Sequence, residues 1–215
     1  ANVRSPTIKG NIMNEKIRRW LIIIISTILS IVINIGFNHL VIFILHVPLF
    51  LDTVGTVTLT FFFFFTPGLV CAFSTTLLDS IIGGYFLQLP TLYVICSFSA
   101  VFISYKFKRN IFNTNMIIVR ICYLFILAMI MCVVISILGG IIDSICITYS
   151  NYKSTYPVAS DFFFFNFIKL GLSQLGTNIV SRFPINIVDR LFTCFISYGL
   201  SLLFSLLVKQ DNKGN

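Results

Sequence analysis

A chain of 215 residues that is 57% hydrophobic and only 10% charged, with a mean hydropathy of +0.98, lacks the polar surface of a soluble domain, which is about 25% charged. Its net charge of +8 lies in short clusters beside long apolar runs. That is the pattern of juxtamembrane anchors facing a lipid bilayer and its anionic headgroups, not of a nucleic-acid face, and it leaves one integral membrane domain with no soluble catalytic domain beside it.

Residues 1–12 are polar and are expected to form a tail, with a single membrane domain over 13–215. A first span is predicted over 20–45, with Trp20 as an interfacial anchor behind Lys16, Arg18 and Arg19. No small-residue cleavage site follows this run, which is too long for a signal core, so no cleaved signal peptide is expected. Pro48, Asp52 and Gly55 break the pattern that follows. The second apolar segment, 54–65, is short for a crossing and stops at the turn signal Thr66-Pro67-Gly68. A third span covers 69–84 and a fourth 91–105, before the basic residues Lys106, Lys108 and Arg109. The fifth runs over 116–142 and the last over 187–208, before Lys209 and Lys213. Between them, 162–180 is apolar but interrupted by Lys169, Gly171, Gln174 and Gly176.

Leaving 162–180 out gives six crossings with both termini on the side of the three basic clusters, hence cytoplasmic in a multi-pass cell-membrane protein. A seventh crossing there would carry the final basic tail to the other side. In the six-crossing arrangement Asp52, Asp143 and Asp189 fall at the outer ends of spans, with Asp79 little more than a turn below, and Arg182 and Arg190 share their side. A charge at the bilayer centre costs roughly 2.5–3.5 kcal/mol on insertion scales, so such residues face a cavity or a partner. Apolar walls with a few convergent polar groups describe a small-molecule pocket. Asn186, Asp189 and Arg190 share a helical face by their spacing. For Asp189 alone the competing reading is a carboxylate suiting the start of a helix.

No H-E-x-x-H, G-x-S-x-G or Walker A pattern is present, and His39 and His46 are the only histidines. No enzymatic activity, metal or cofactor is therefore expected of this chain. The six cysteines form no C-x-x-C pair and sit mostly in apolar runs, where cysteine behaves as a small hydrophobe. Ser26 and Ser30 are four apart on the first span, a small-x-x-x-small spacing that lets another helix approach closely.

Six spans of uneven length, the stretch from Val47 to Gly55, the Thr66-Pro67-Gly68 turn and the stretch from Phe183 to Arg190 together resemble a known family. The chain, over 13–208, resembles the substrate-binding S component of energy-coupling factor (ECF) transporters, importers of vitamins. The resemblance implies an all-α six-helix bundle that captures a small-molecule substrate at its outer face and works with a T subunit and two ATPase subunits. It places Asp52, Thr53 and Gly55 in a ligand loop and Asn186, Asp189 and Arg190 on the rim of the last span. Together with Asp79 these are the candidate binding residues. Ser26 and Ser30 stand where the family carries an alanine-x-x-x-alanine face for the T subunit. The N-terminal histidine of the metal-transporting branch is missing, which speaks against cobalt or nickel as cargo. The alternative class is a membrane sensor or scaffold acting through a partner protein.

Overall fold

A computed structural model describes residues 7–47, 49–84, 86–150 and 159–211. Among these residues the chain is helical with no strand. Helix α1 (Thr7–His39) runs on into a π-helical turn, Leu40–Ile44. Then come α2 (Val54–Phe62), α3 (Phe65–Ile82), a 3-10 turn at Leu89–Tyr93 that leads into α4 (Val94–Asn113), α5 (Ile117–Ser150), α6 (Ala159–Lys169) and α7 (Gln174–Asp211). Five stretches are long and apolar enough to cross a membrane: Ile17–Ile44, Phe65–Ile82, Leu89–Asn113, Ile117–Tyr149 and Gln174–Leu206. The protein is an all-α, multi-pass membrane protein.

Its polarity is distributed as lipid demands. On α1, Ile24, Ile25, Ile28, Leu29 and Val32 face outward while Ser30 and Asn34 are buried. With lipid tails as apolar as leucine, helices gain little from hiding apolar faces. They associate through close packing and interhelical hydrogen bonds. Gly140 of α5 shows the first device: a Cβ there would lie 2.7 Å from the Ile179 backbone of α7. Val57 and Phe61 of α2 and Leu124, Leu127 and Met131 of α5 belong to one apolar core that also takes in Ala100 of α4 and Cys194 of α7.

Two expected boundaries differ, and two short segments are resolved. Helix α1 begins at Thr7, inside the stretch read as a polar tail. The second segment is a helix of only nine residues, about 14 Å long, and cannot cross by itself. The stretch 162–180 forms no separate span, as in the six-crossing reading. It divides into the eleven-residue α6 and the first turns of α7. Helix α7 continues through Pro184 without interruption, which corrects the expected start of the last span at 187. Asp189 therefore lies fifteen residues beyond Gln174, about 22 Å along the helix. It caps nothing, and the helix-start reading of Asp189 fails. Asp189 and Arg190 are mid-span residues and not rim residues.

One end of the bundle is basic. Lys108 donates from Nζ to the Phe63 carbonyl at 2.5 Å and lies over the Phe64 ring, closing the joint between α2 and α3. Arg120 donates to the Ile111 and Thr114 carbonyls (3.2 and 2.6 Å), which ends α4, and to the Tyr198 hydroxyl at 2.8 Å. The charged groups within the bundle lie toward the opposite end, here called the mouth.

Candidate functional site

Between α1 and α2, where the sequence breaks the helical pattern, residues 45–47 and 49–53 run from the mouth toward the middle of the bundle as irregular backbone. Such backbone survives at membrane depth only where protein satisfies its polar groups. Here Leu45 N–H donates to Leu40 O (2.9 Å) and Val47 N–H to Val41 O (3.0 Å). The N–H groups of Phe50 and Leu51 both donate to Asp189 Oδ1, at 3.0 and 2.9 Å. Leu51 has φ +45°, a left-handed conformation that costs a non-glycine residue about 1 kcal/mol or more. The Asp189 carboxylate stabilises the turn that requires it.

Below this turn α2 is seated by Asn34. Its Oδ1 accepts the Gly55 N–H at 2.6 Å, and its Nδ2 donates to Thr56 Oγ1 (2.9 Å) and Thr75 Oγ1 (3.1 Å). One buried amide thus ties α1, α2 and α3 together. Gly55 rests on the Ser30 backbone, where any Cβ would overlap the Ser30 carbonyl, so only glycine fits. At the level of α2, Ser197 Oγ donates to Val54 O at 2.7 Å.

The charged layer sits at the junction of this segment with α7. Asp189 Oδ2 is ion-paired with Arg190 Nη2. Arg190 Nη1 donates to Thr53 Oγ1 at 2.6 Å, and Nη2 stands 3.6 Å from Asp52 Oδ1. The side chains of Asp189 and Arg190 are 0% and 4% exposed, whereas that of Asp52 is 36% exposed, so the layer opens toward the mouth at Asp52. Arg190 Nε and Thr193 Oγ1 are buried without a hydrogen bond, and Asp52 Oδ1 and Asp189 Oδ2 meet Arg190 only as ion pairs. Thr193 lies between Asp189 and Ser197 on one face of α7, and both of those contact residues 50–54. Its hydroxyl therefore faces the same segment. Asn34 and Thr75 are bonded across α1 and α3, which run the same way. The residues one turn nearer the mouth, Asn38 and Asp79, consequently face the same space. Asn38 Oδ1 is also buried without a hydrogen bond. Asp79 is half-buried.

Nearer the mouth lies a second layer that is closed on itself. Arg182 holds Asp143 through both oxygens, Nε to Oδ2 at 2.5 Å and Nη2 to Oδ1 at 2.8 Å. Its Nη2 also donates to the Tyr93 hydroxyl at 2.7 Å, and that hydroxyl donates to Asp143. A Cβ on Gly139 would lie 2.7 Å from Arg182 Nη1, so glycine makes the room for the guanidinium.

The structure thus brings Asp52, Thr53, Asp189 and Arg190 together, while Asp79 lies on α3 with no contact to them described. Asn186 is elsewhere: it is 2% exposed and donates to Ser136 Oγ of α5 at 2.9 Å. Gly55 is a packing position beneath the layer. Ser30 is fully buried under α2, and Ser26 is half-buried. Asn34, Asn38 and Thr193 were not singled out in the sequence. Asn34 and Asn38 interrupt an otherwise apolar run, which is a usable signal; a lone threonine such as Thr193 carries none. Among the described residues no cluster of His, Cys, Asp or Glu could hold a metal ion. No family model, curated protein or solved structure matches this chain.

Proposed function

We propose that this chain is the solute-binding subunit of a membrane importer of the ECF S-component kind, taking up a small polar metabolite at the charged layer around Arg190. The observation that carries the reading is the half-open charged layer. Arg190 and Asp189 are buried at mid-span, Asp52 gives access from the mouth, and buried polar atoms around them make no hydrogen bond. Burying such atoms costs about 1–3 kcal/mol each, which a polar solute would relieve. Apolar walls around a few fixed polar groups suit a small ligand.

The descending segment followed by α2 supports a sixth passage from mouth to basic end. Counted so, α1 begins and α7 ends at the basic end, where Arg18, Arg19, Lys106 and Arg109 would face the cytoplasm by the positive-inside rule. Irregular backbone joined to a half-helix at the midplane is a device of membrane transporters. Uptake would depend on a T subunit and two ATPases, because this chain carries no phosphate loop. With Ser30 covered by α2, docking of a T subunit on that face of α1 would run through Ser26. The same burial favours one alternative, a solute sensor that signals through a different partner. Co-purification with ATPase subunits distinguishes the importer from the sensor. Mass spectrometry of the small molecules released on denaturing the purified protein tests both. A preparation that releases none, and whose melting no solute changes, overturns the solute-binding reading.

A further inference from the structure

Helix α6 is too short to cross a bilayer, about 16 Å for its eleven residues, and too short to hold its shape alone in water. Its charges stand near its two ends, Asp161 and Lys169, and 162–168 between them holds six apolar residues and Asn166. Among the described residues it packs against α7 and no other helix, so it stands at the perimeter of the bundle and not over its centre. Phe163, Phe164 and Phe167 are half-buried, and the rings of Phe163 and Phe167 stack at 6.5 Å. Phe165 and Ile168 are 61% and 42% exposed, and the apolar exposure continues through the joint to α7 at Leu170, Leu172 and Leu175. Asn166 and Lys169, three apart and exposed, form a polar edge beside this stripe.

The joint closes on itself. Gly171, at φ +84°, ends α6 in the left-handed conformation that favours glycine. Leu170 N–H donates to Phe167 O (3.2 Å), Gly171 N–H to Ile168 O (2.9 Å) and Leu172 N–H to Phe167 O (3.4 Å). Ser173 then caps α7, its Oγ accepting the Gly176 N–H at 3.3 Å and its carbonyl the Thr177 N–H at 2.8 Å. Irregular backbone with its N–H groups engaged in this way can enter lipid. The joint leads directly into the span Gln174–Leu206, and Asn178 on Ser144 sets the start of that span level with the end of Ile117–Tyr149. Helix α6 thus stands at the edge of the bilayer, at the mouth end.

We infer that α6 and its joint to α7 form a lipid-binding element. Phe165, Ile168, Leu170 and Leu172 sit among the acyl chains just beneath the headgroups, and Lys169 reaches to a headgroup phosphate. The partner is the surface of the leaflet at the mouth. In water the stripe would be an exposed apolar patch; in lipid its burial is favourable. A short amphipathic helix with a basic end is the kind that settles at the boundary of headgroups and acyl chains, its lysine stem lying along the apolar layer. Continuity with α7 favours lipid over a second protein, because the stripe runs on into a helix that itself spans the membrane. The element fixes the depth at which the start of α7, and with it the Asp143–Arg182 pair, stands in the bilayer. The inference goes beyond the solute-binding reading and does not depend on it.

The test uses the whole chain reconstituted in phosphatidylcholine vesicles whose acyl chains carry bromine either near the headgroup or near the chain end. Trp20 is the single tryptophan, so Trp20→Phe gives a silent background. Phe165→Trp and Leu172→Trp are placed in it one at a time; both positions are exposed and accept the larger ring. Ile28→Trp, exposed near the middle of the α1 span, is the depth reference. Emission from the Phe165→Trp and Leu172→Trp variants is expected to be blue-shifted, quenched more by bromine near the headgroup than near the chain end, and little affected by acrylamide in the water. The reference should show the reverse order of depth. Strong acrylamide quenching with no effect of bromine would put α6 in water and overturn the inference. Blue-shifted emission that neither quencher reaches would mean that protein, such as a second copy of this chain, covers the stripe, which overturns it as well. Stronger quenching from the chain end would carry α6 to the bilayer centre and reject its place at the boundary.

Discussion

Asp189 Oδ1 accepts the Leu51 N–H at 2.9 Å and so joins the middle of α7 to a left-handed turn 138 residues earlier in the chain. The same carboxylate neutralises Arg190, so one side chain shapes the descending backbone and balances the charge beneath it. Backbone shape and charge balance of this layer are therefore coupled at a single residue. Asp189→Asn should leave Arg190 buried without its partner, a defect of about 3–5 kcal/mol. A large drop in melting temperature in detergent is expected. A wild-type melting curve would mean that the ion pair contributes nothing to the fold.

Gly55→Ala tests the seat of α2. The added methyl group would overlap the Ser30 carbonyl, and backbone cannot swing aside as a side chain can. Overpacking of this kind costs about 1–3 kcal/mol. Because Gly55 also donates to Asn34, a shift there should loosen the junction of three helices. Thermal unfolding of the alanine variant measures the cost; an unchanged midpoint would place α2 farther from α1 than described.

The Asp143–Arg182 pair should behave as a unit. Arg182→Met alone strands a carboxylate, and Asp143→Leu alone strands a guanidinium; either change should destabilise strongly. The double variant should recover much of the loss, since an apolar pair of similar volume carries no desolvation penalty. Additive losses in the double-mutant cycle would show that the two side chains do not depend on each other.

Labelling from the two sides of the membrane tests the orientation of the bundle. Arg109 lies at the basic end of α4 and Tyr149 near the mouth end of α5, and both are exposed. With the exposed Cys122 replaced by serine, Arg109→Cys should react only from the cytoplasmic side and Tyr149→Cys only from the other. Reaction of both from one side would reject the six-passage topology.

Hydropathy alone determined that this is a helical membrane protein, because spanning length and apolar content are local properties of the chain. It also marked Asp52, Asp79, Asp189 and Arg190 as residues with a task, since charge is expensive in lipid wherever it sits. The course of the chain was decided otherwise. Read from the sequence, 162–180 is interrupted by Lys169, Gly171, Gln174 and Gly176, and the last span starts only at 187. In the structure Asn178, Ser181 and Arg182 turn inward, Asn178 onto Ser144 and Arg182 onto Asp143, so α7 continues through them. A window average cannot separate polar residues gathered on one buried face from a polar loop. The course of 49–53 was equally hidden, because the Phe50 and Leu51 N–H groups are satisfied by Asp189, a residue far away in sequence. Asn186 was misplaced for the converse reason: spacing put it on the face of Asp189, but only the packing of α5 against α7 directed its amide to Ser136. Local composition set which residues must leave the lipid, and helix–helix contact set where each of them went.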